Sequence, residues 1–335
     1  MVDPVRSAPT PRLLYVVGGM AILYLVWGTT YLAIRLQVAS LPVFLSSGLR
    51  WVLPGLFFLA LERSSGRSIQ LPRKLQLAMV VTGLCYFGGN GLLSWAELAV
   101  PSGMAALFIG LVPLWFYLWE WTDRGAAHLA PLGLVGILLG LVGVFLLVAP
   151  QTGLLPGVAL QGARPDGAAL IPGGVLGAQV LLLLAALGWG SGAYHSGRVS
   201  RAHRLEPLTV AGYQMLWGGL VLMACGLALG ERPADFLLAT ASSWWAWVFL
   251  LFVASGLTFF VFTWLVTHVA LTKVGTYAYV NPVIAVLLGA WVGGEGFDRW
   301  VLSGMAVVLI AIALVRLAKY RSTPSAGNMV AAADT

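Results

Sequence analysis

Apolar stretches long enough to cross a bilayer follow one another along nearly the whole chain, separated by short polar links. Ten can be delimited, at 13–34, 41–61, 75–96, 100–121, 129–148, 175–194, 208–229, 244–266, 274–293 and 300–317. A helix needs roughly 20 apolar residues to cross the hydrocarbon core. In lipid every backbone donor and acceptor must be met within the protein, which leaves helices as the spanning form for runs of this length. The pattern predicts an all-α integral membrane protein with ten transmembrane helices. The longest link, 149–174, is rich in Gly, Pro and Ala and splits the runs into five plus five. The expected organisation is a tail at 1–12, a five-helix unit at 13–149, a linker at 150–174, a second unit at 175–318 and a tail at 319–335. An odd number of spans per unit turns the second over relative to the first, giving two inverted five-helix repeats.

Two of the runs are interrupted. The stretch 275–295 carries no charge until Glu295 and contains Asn281-Pro282, while 101–121 contains Pro113. Proline removes a backbone donor and clashes with the preceding turn, so both helices are expected to bend or open there. Interrupted apolar segments in corresponding positions of two halves point to the binding site of a secondary transporter. A faint internal similarity agrees: Trp27-Gly28 pairs with Trp189-Gly190, and Pro113 with Pro282.

Composition narrows the class. Hydrophobic residues make up 59%, charged residues 9%, and the mean hydropathy is +0.90, against roughly 25% charged residues in a soluble domain. A net charge of +7 would suggest nucleic acid in a soluble chain. Here Lys and Arg sit between apolar runs, so the bilayer is the expected partner and nucleic acid is not. Counted by side, the basic residues divide 14 against 4, which places both termini in the cytoplasm. No cleavable signal peptide is expected, because the start is short, Pro-rich and polar. Cys85 and Cys225 fall within apolar runs, with no disulfide or metal spacing.

Polar residues inside the runs are the candidates for function. Thr82, Tyr86, Asn90, Ser94 and Glu97 recur on one face of the third run, a stripe that should look into the bundle because an unpartnered carboxamide is costly in lipid. Asn90 serves either substrate or interhelical hydrogen bonding, and Glu97 is placed in the stripe or at the outer interface. Tyr277 and Asn281 share a face, where Asn281 meets backbone opened by Pro282, a ligand, or both. Trp27, Trp189, Tyr213 and Gln214 complete a candidate substrate-binding set, with Pro113 and Pro282 as helix breaks. Aromatic residues converging from several helices would suit a ligand with apolar or aromatic parts, although Trp and Tyr also form interfacial belts, the reading given to Trp244, Trp245, Trp247, Trp119 and Trp121. Arg50, at the centre of the second run, is an intramembrane charge and a functional candidate, with tying of helices as the alternative that weighs more. Glu120 and Glu295 lie near helix ends, where carboxylates cost little. No catalytic constellation, metal cluster or phosphate-binding loop is evident, so neither cofactor nor enzymatic activity is expected.

The chain resembles the EamA-like branch of the drug/metabolite transporter superfamily through WGTTYLAIR at 27–35, SGLRW at 47–51, AELAVPSGMAALFIGLVP at 96–113 and GTYAYVNPVIAVLLGAWVGGE at 275–295. The resemblance implies ten helices in two inverted repeats, a central cavity walled mainly by the third, fourth, eighth and ninth helices, and export of amino acids and other small metabolites by alternating access without ATP. It also implies a structural role for Arg50, an arginine common in the family's second helix. One departure is that only Gly294-Glu295 supplies the Gly-Glu ending of the proline-bearing helix; the first half reads WEWTDRG. Rival readings are a passive facilitator and an integral-membrane lipid enzyme. Protons as coupling ion are left open.

Overall fold

A computed structural model describes residues 13–124, 131–148, 165–269, 274, 276–297 and 299–322. Both tails, as far as residue 12 and from 323, and most of the central link lie outside these. In chain order the helices are α1 (Leu13–Gln37), α2 (Val43–Ser64), α3 (Arg73–Ala96), α4 (Ser102–Ile109), α5 (Val112–Arg124), α6 (Pro131–Val148), a short α7 (Pro165–Ala169) in the link, α8 (Gly174–His203) and α9 (Pro207–Ala228). There follow α10 (Ala241–Phe249), a π-helical segment (Leu250–Leu257), α11 (Thr258–His268), α12 (Tyr277–Trp291) and α13 (Arg299–Ser322). No strand occurs among the described residues. Seven helices are long and apolar enough to cross a membrane, counting Ala241–Leu265 as one. Shorter apolar stretches lie at Ser102–Phe116, Val280–Trp291 and Arg299–Val315.

Packing joins the two halves of the chain throughout. Helix α2 lies on α9, α3 on α8 and α9, α6 on α13, α1 on α12 and on α10–α11, and α4 on α12 and α8. Helix association in lipid depends on close van der Waals fit, so small residues mark the crossings. At α2–α9 the fit is backbone to backbone: a Cβ on Gly48 would lie 2.6 Å from the Gly219 carbonyl, and one on Gly219 would lie 2.7 Å from the Gly48 carbonyl. Gly55 meets Gly212 in the same way further along. Residue numbers rise on one helix as they fall on the other, so the two run antiparallel. Gly136 against Ala311 and Gly143 against Val308 set α6 antiparallel to α13. Gly219→Val should therefore force these helices apart, at a cost of about 1–3 kcal/mol. A clear fall in the melting temperature of the detergent-solubilised protein would register it, whereas an unchanged one would contradict the close crossing.

The two proline positions behave differently. Helix α4 stops at Ile109 and α5 begins at Val112, so the span bearing Pro113 is broken as its sequence suggests. Pro282, by contrast, lies inside α12, which stays helical through it. This corrects the expectation of an opening. Pro282 is the sixth residue of the helix, so its missing N–H removes a bond only near the helix start. Asn281 adds support, its amide nitrogen donating to the carbonyls of Tyr24 (3.3 Å) and Tyr277 (3.1 Å) in the orientation its surroundings require. A Cβ on Gly110, in the break, would come within 3.3 Å of the Pro282 ring, so the two prolines mark adjacent places. At 15 residues α12 is short. After it the chain turns at Gly294, whose φ of +62° suits glycine, and brings Glu295 back beneath the helix.

Candidate functional site: an aromatic array and a buried polar track

Eight aromatic side chains from six helices form one connected array with Phe259 of α11 at its middle. Phe259 meets Trp27 of α1 (ring centroids 6.0 Å apart), Trp51 of α2 (6.4 Å), Tyr86 and Phe87 of α3 (6.2 and 5.9 Å) and Phe262 (5.6 Å). On one flank Tyr277 of α12 stands edge-on to Trp27 at 4.9 Å. On the other, Trp189 of α8 stacks on Tyr86 at 4.2 Å. The Trp27 indole donates to the Ala254 carbonyl at 3.3 Å, within the π segment. Wide turns of this kind are frequent at functional sites.

A polar track begins beside the array and runs along α3 toward its C-terminal end. Arg50 is 2% exposed. Its Nη2 donates to Asn90 Oδ1 at 3.0 Å, and its guanidinium carbon lies 4.6 Å from the centre of the Trp51 ring. Glu97 is fully buried and interacts electrostatically with Arg50 and with Tyr31 of α1. Ser47 donates to Ser94 (3.2 Å), and Gln37 to Ser46 (2.7 Å). Two donors next to the rings, Arg50 Nε and Trp51 Nε1, are buried without a hydrogen-bond acceptor among the described residues. A buried donor left unpaired costs about 1–3 kcal/mol.

The structure thus gathers Trp27, Tyr86, Trp189 and Tyr277 into one array, with Asn90, Arg50 and Glu97 adjoining it. Others of the sequence candidates lie elsewhere. Tyr213 donates to the Ile69 carbonyl (3.0 Å), in the link before α3, and Gln214 donates to Thr82 (2.7 Å), joining α9 to α3. The bonds of Asn281 go to backbone. Glu97 is buried with the rest of its stripe. Two placements differ from expectation. Glu295 is buried rather than at an open helix end. Trp247 is likewise buried, donating to the Ser46 carbonyl at 2.8 Å, while Trp245 is exposed as a belt residue should be. The side chains of Glu120 and Trp121 lie outside the described residues. Phe259 escapes a sequence reading because the eighth run is largely apolar, and its few polar residues, Ser255, Thr258 and Thr263, are too sparse to mark a face.

Three ion pairs join the halves among the described residues: a loose, exposed one between Arg67 and Glu206 (3.9 Å), and two closer ones at opposite ends of the bundle. Arg35, in the last turn of α1, pairs with Glu295. Glu295 Oε1 also accepts from the backbone N–H (2.8 Å) and hydroxyl (2.8 Å) of Ser102, and Oε2 from Gly103 N–H (3.1 Å). The carboxylate therefore meets the free donors at the start of α4. At the other end Asp123, past the apolar stretch of α5, accepts from the Tyr194 hydroxyl and from Arg198, both on α8. The Tyr194 bond foremost, and then the Arg198 charge, hold the Asp123 carboxyl below its usual range. A depressed folded-state value means this link is intact above the ordinary aspartate pKa and fades only as pH falls through the lowered one. The stability difference between the native protein and Asp123→Asn should accordingly be flat from about pH 5 to 8 and shrink only below about pH 4. Thermal melts at stepped pH would check this.

The profile of the EamA-like transporter family matches residues 14–149 and 176–317. The chain belongs to the EamA-like transporter family. Its relatives include the uncharacterized inner membrane transporter YedA of Escherichia coli K12, 31% identical over 311 residues that cover 92% of this chain and 93% of YedA. The uncharacterized transporter sll0355 of Synechocystis is 24% identical, with 87% of each chain covered. YoaV, an uncharacterized transporter of Bacillus subtilis, is 21% identical over 81% of this chain and 86% of its own. A solved crystal structure at 22% identity superposes with a TM-score of 0.59, covering 92% of this chain and 99% of the other, and so shares the fold. In an EamA-like transporter the aromatic array and polar track belong to a multi-pass membrane protein that moves small molecules, a transporter rather than an enzyme.

Proposed function

We propose that this EamA-like chain is a secondary exporter of small metabolites, foremost amino acids with apolar or aromatic side chains, across the bacterial inner membrane. Substrate lies against Trp27, Tyr86, Trp189 and Tyr277, with its acceptor group toward Arg50 Nε and Trp51 Nε1. The observation that carries this is the meeting of the ring array with two orphaned buried donors where both halves cross. Rings supply an apolar face, and the donors select a carboxylate or carbonyl.

Alternating access rests on a repeat, for which the packing gives support. Shifting every span by five turns α2–α9 and α6–α13 into themselves. The same shift turns α3–α8 into the pairing of α10–α11 with α1, and α1–α12 into α8 with α4 and α5; all of these contacts occur. A helix that packs antiparallel on its own counterpart, as α2 does on α9, fits an axis lying in the membrane plane, and so inverted five-helix repeats at 13–149 and 175–318 joined by a linker. Ten spans with both termini cytoplasmic complete this reading.

The test is flux of labelled Phe, Trp and Thr into liposomes bearing the purified protein, with and without a pH gradient. Saturable, mutually competing flux is expected; no flux of any amino acid would remove this substrate class. Flux indifferent to the gradient would mark a facilitator, not a proton-coupled exporter. Asn90→Ala should lower flux. It also takes the acceptor from a buried guanidinium, at a cost of about 1.5–3 kcal/mol, so flux is compared at equal amounts of folded protein well below the melting temperature. Undiminished flux in that variant would remove Asn90 and Arg50 from the site.

A further inference from the structure

We propose that the pairs Arg35–Glu295 and Arg198–Asp123 are the latches of the two access routes, one closing each side of the membrane. This rests on the alternating-access reading above. The two pairs stand in corresponding places of the two halves. Arg35 comes 8 residues after Trp27, and Arg198 comes 9 after Trp189; each follows the Trp-Gly pair on its own helix, Arg35 in the last turn of α1 and Arg198 five residues before the end of α8. Glu295 comes 13 residues after Pro282 and Asp123 comes 10 after Pro113; each follows a proline-bearing span. In both, the cation of one half holds the carboxylate of the other. Helix α3 shows that they lie at opposite ends. Gln37, two residues past Arg35, reaches Ser46 and Ser47, and Ser47 reaches Ser94 near the C-terminal end of α3. A Cβ on Gly192 of antiparallel α8 would meet Thr82 and Tyr86, so Arg198 lies beyond them, toward the N-terminal end of α3.

The latches are unequal. The side chains of Arg35 and Glu295 are 9% and 0% exposed, those of Arg198 and Asp123 54% and 32%. Glu295 is further set by three donors of Ser102 and Gly103, and Gly289 leaves it room: a Cβ there would lie 2.3 Å from Oε2. A dry, multiply bonded carboxylate is costly to detach, whereas a wet ion pair is cheap to break. The resting protein therefore opens more readily at the Arg198–Asp123 end, which is the cytoplasmic end if both termini are cytoplasmic, as an exporter that loads from the cytoplasm requires.

The experiment uses the full chain in proteoliposomes with Cys85 and Cys225 replaced by alanine. One reporter cysteine is placed at a time: Ser94→Cys behind the Glu295 latch, or Ala193→Cys behind the Asp123 latch. Its rate of reaction with a membrane-impermeant maleimide is then measured from both faces. Glu295→Gln should speed labelling of Ser94→Cys at least about fivefold and leave Ala193→Cys unchanged. Asp123→Asn should speed Ala193→Cys about twofold, and exchanging the pair as Asp123→Arg with Arg198→Glu should restore the slow rate. If Glu295→Gln fails to fold, Glu295→Asp or Arg35→Gln should shift the same reporter. Unchanged rates, or both reporters quickening together in every variant, would overturn the latches. Selective quickening in a protein that moves no solute would leave the latches standing and remove the transport reading. Solute flux with unchanged rates would do the reverse.

Discussion

Phe259→Ala should be the most damaging single truncation in the protein, lowering its stability in detergent by about 3–5 kcal/mol. The ring is 5% exposed and touches five other aromatic side chains drawn from α1, α2, α3 and α11. Association between apolar helices in lipid rests on such contact more than on exclusion of water. Emptying this position leaves Trp27 and Tyr277 with no common neighbour to Tyr86 and Trp189. Phe259→Leu, which retains most of the volume, should lose much less. Thermal melts of the two variants side by side would measure this. A Phe259→Ala protein that melts with the native one would show that the array is not a packed unit.

Arg50→Met should be nearly as costly, about 3–5 kcal/mol, because it strips a buried carboxylate of a neighbouring cation. The Asn90 carbonyl would lose its donor as well. The decisive comparison is with the double variant Arg50→Met, Glu97→Gln. If Arg50 and Glu97 compensate each other's charge, the double variant is more stable than Arg50→Met alone, and the coupling read from the four melting curves is well above the few tenths of a kcal/mol found for independent sites. A double variant no more stable than Arg50→Met would show that the two charges do not depend on each other.

The all-helical, multi-span class and the break at Pro113 were legible in the sequence because each is a local property: a run of apolar residues, or a ring where a donor should be. The polar stripe of α3 was legible for the same reason, since a helix displays its own periodicity. What each stripe residue bonds to was not. Thr82 and Gln214 are separated by 132 positions, and Arg35 and Glu295 by 260, and no periodicity on one helix announces a partner on another. Charge was the least readable property. Glu97 and Glu295 both stand beside turn residues, where a carboxylate would ordinarily find water, yet each is covered by elements from elsewhere in the chain. For Glu295 the Gly293-Gly294 pair before it was the available sign, since such a pair lets the chain double back.

The π segment at Leu250–Leu257 has a further consequence. Its last turn closes through a bond from Thr258 N–H to the Val253 carbonyl, five residues back, so one residue is accommodated beyond what a regular helix would hold. Everything after it is out of phase with what comes before, by about 100° of rotation. That offset points Phe259 and Phe262 into the ring array while Trp247 stays turned toward α2. Wound as a regular helix from Trp247 onward, the same span would turn Phe259 about 100° away from Trp27 and Tyr86, so a single extra residue in Leu250–Leu257 decides which face of an apolar helix the rings see.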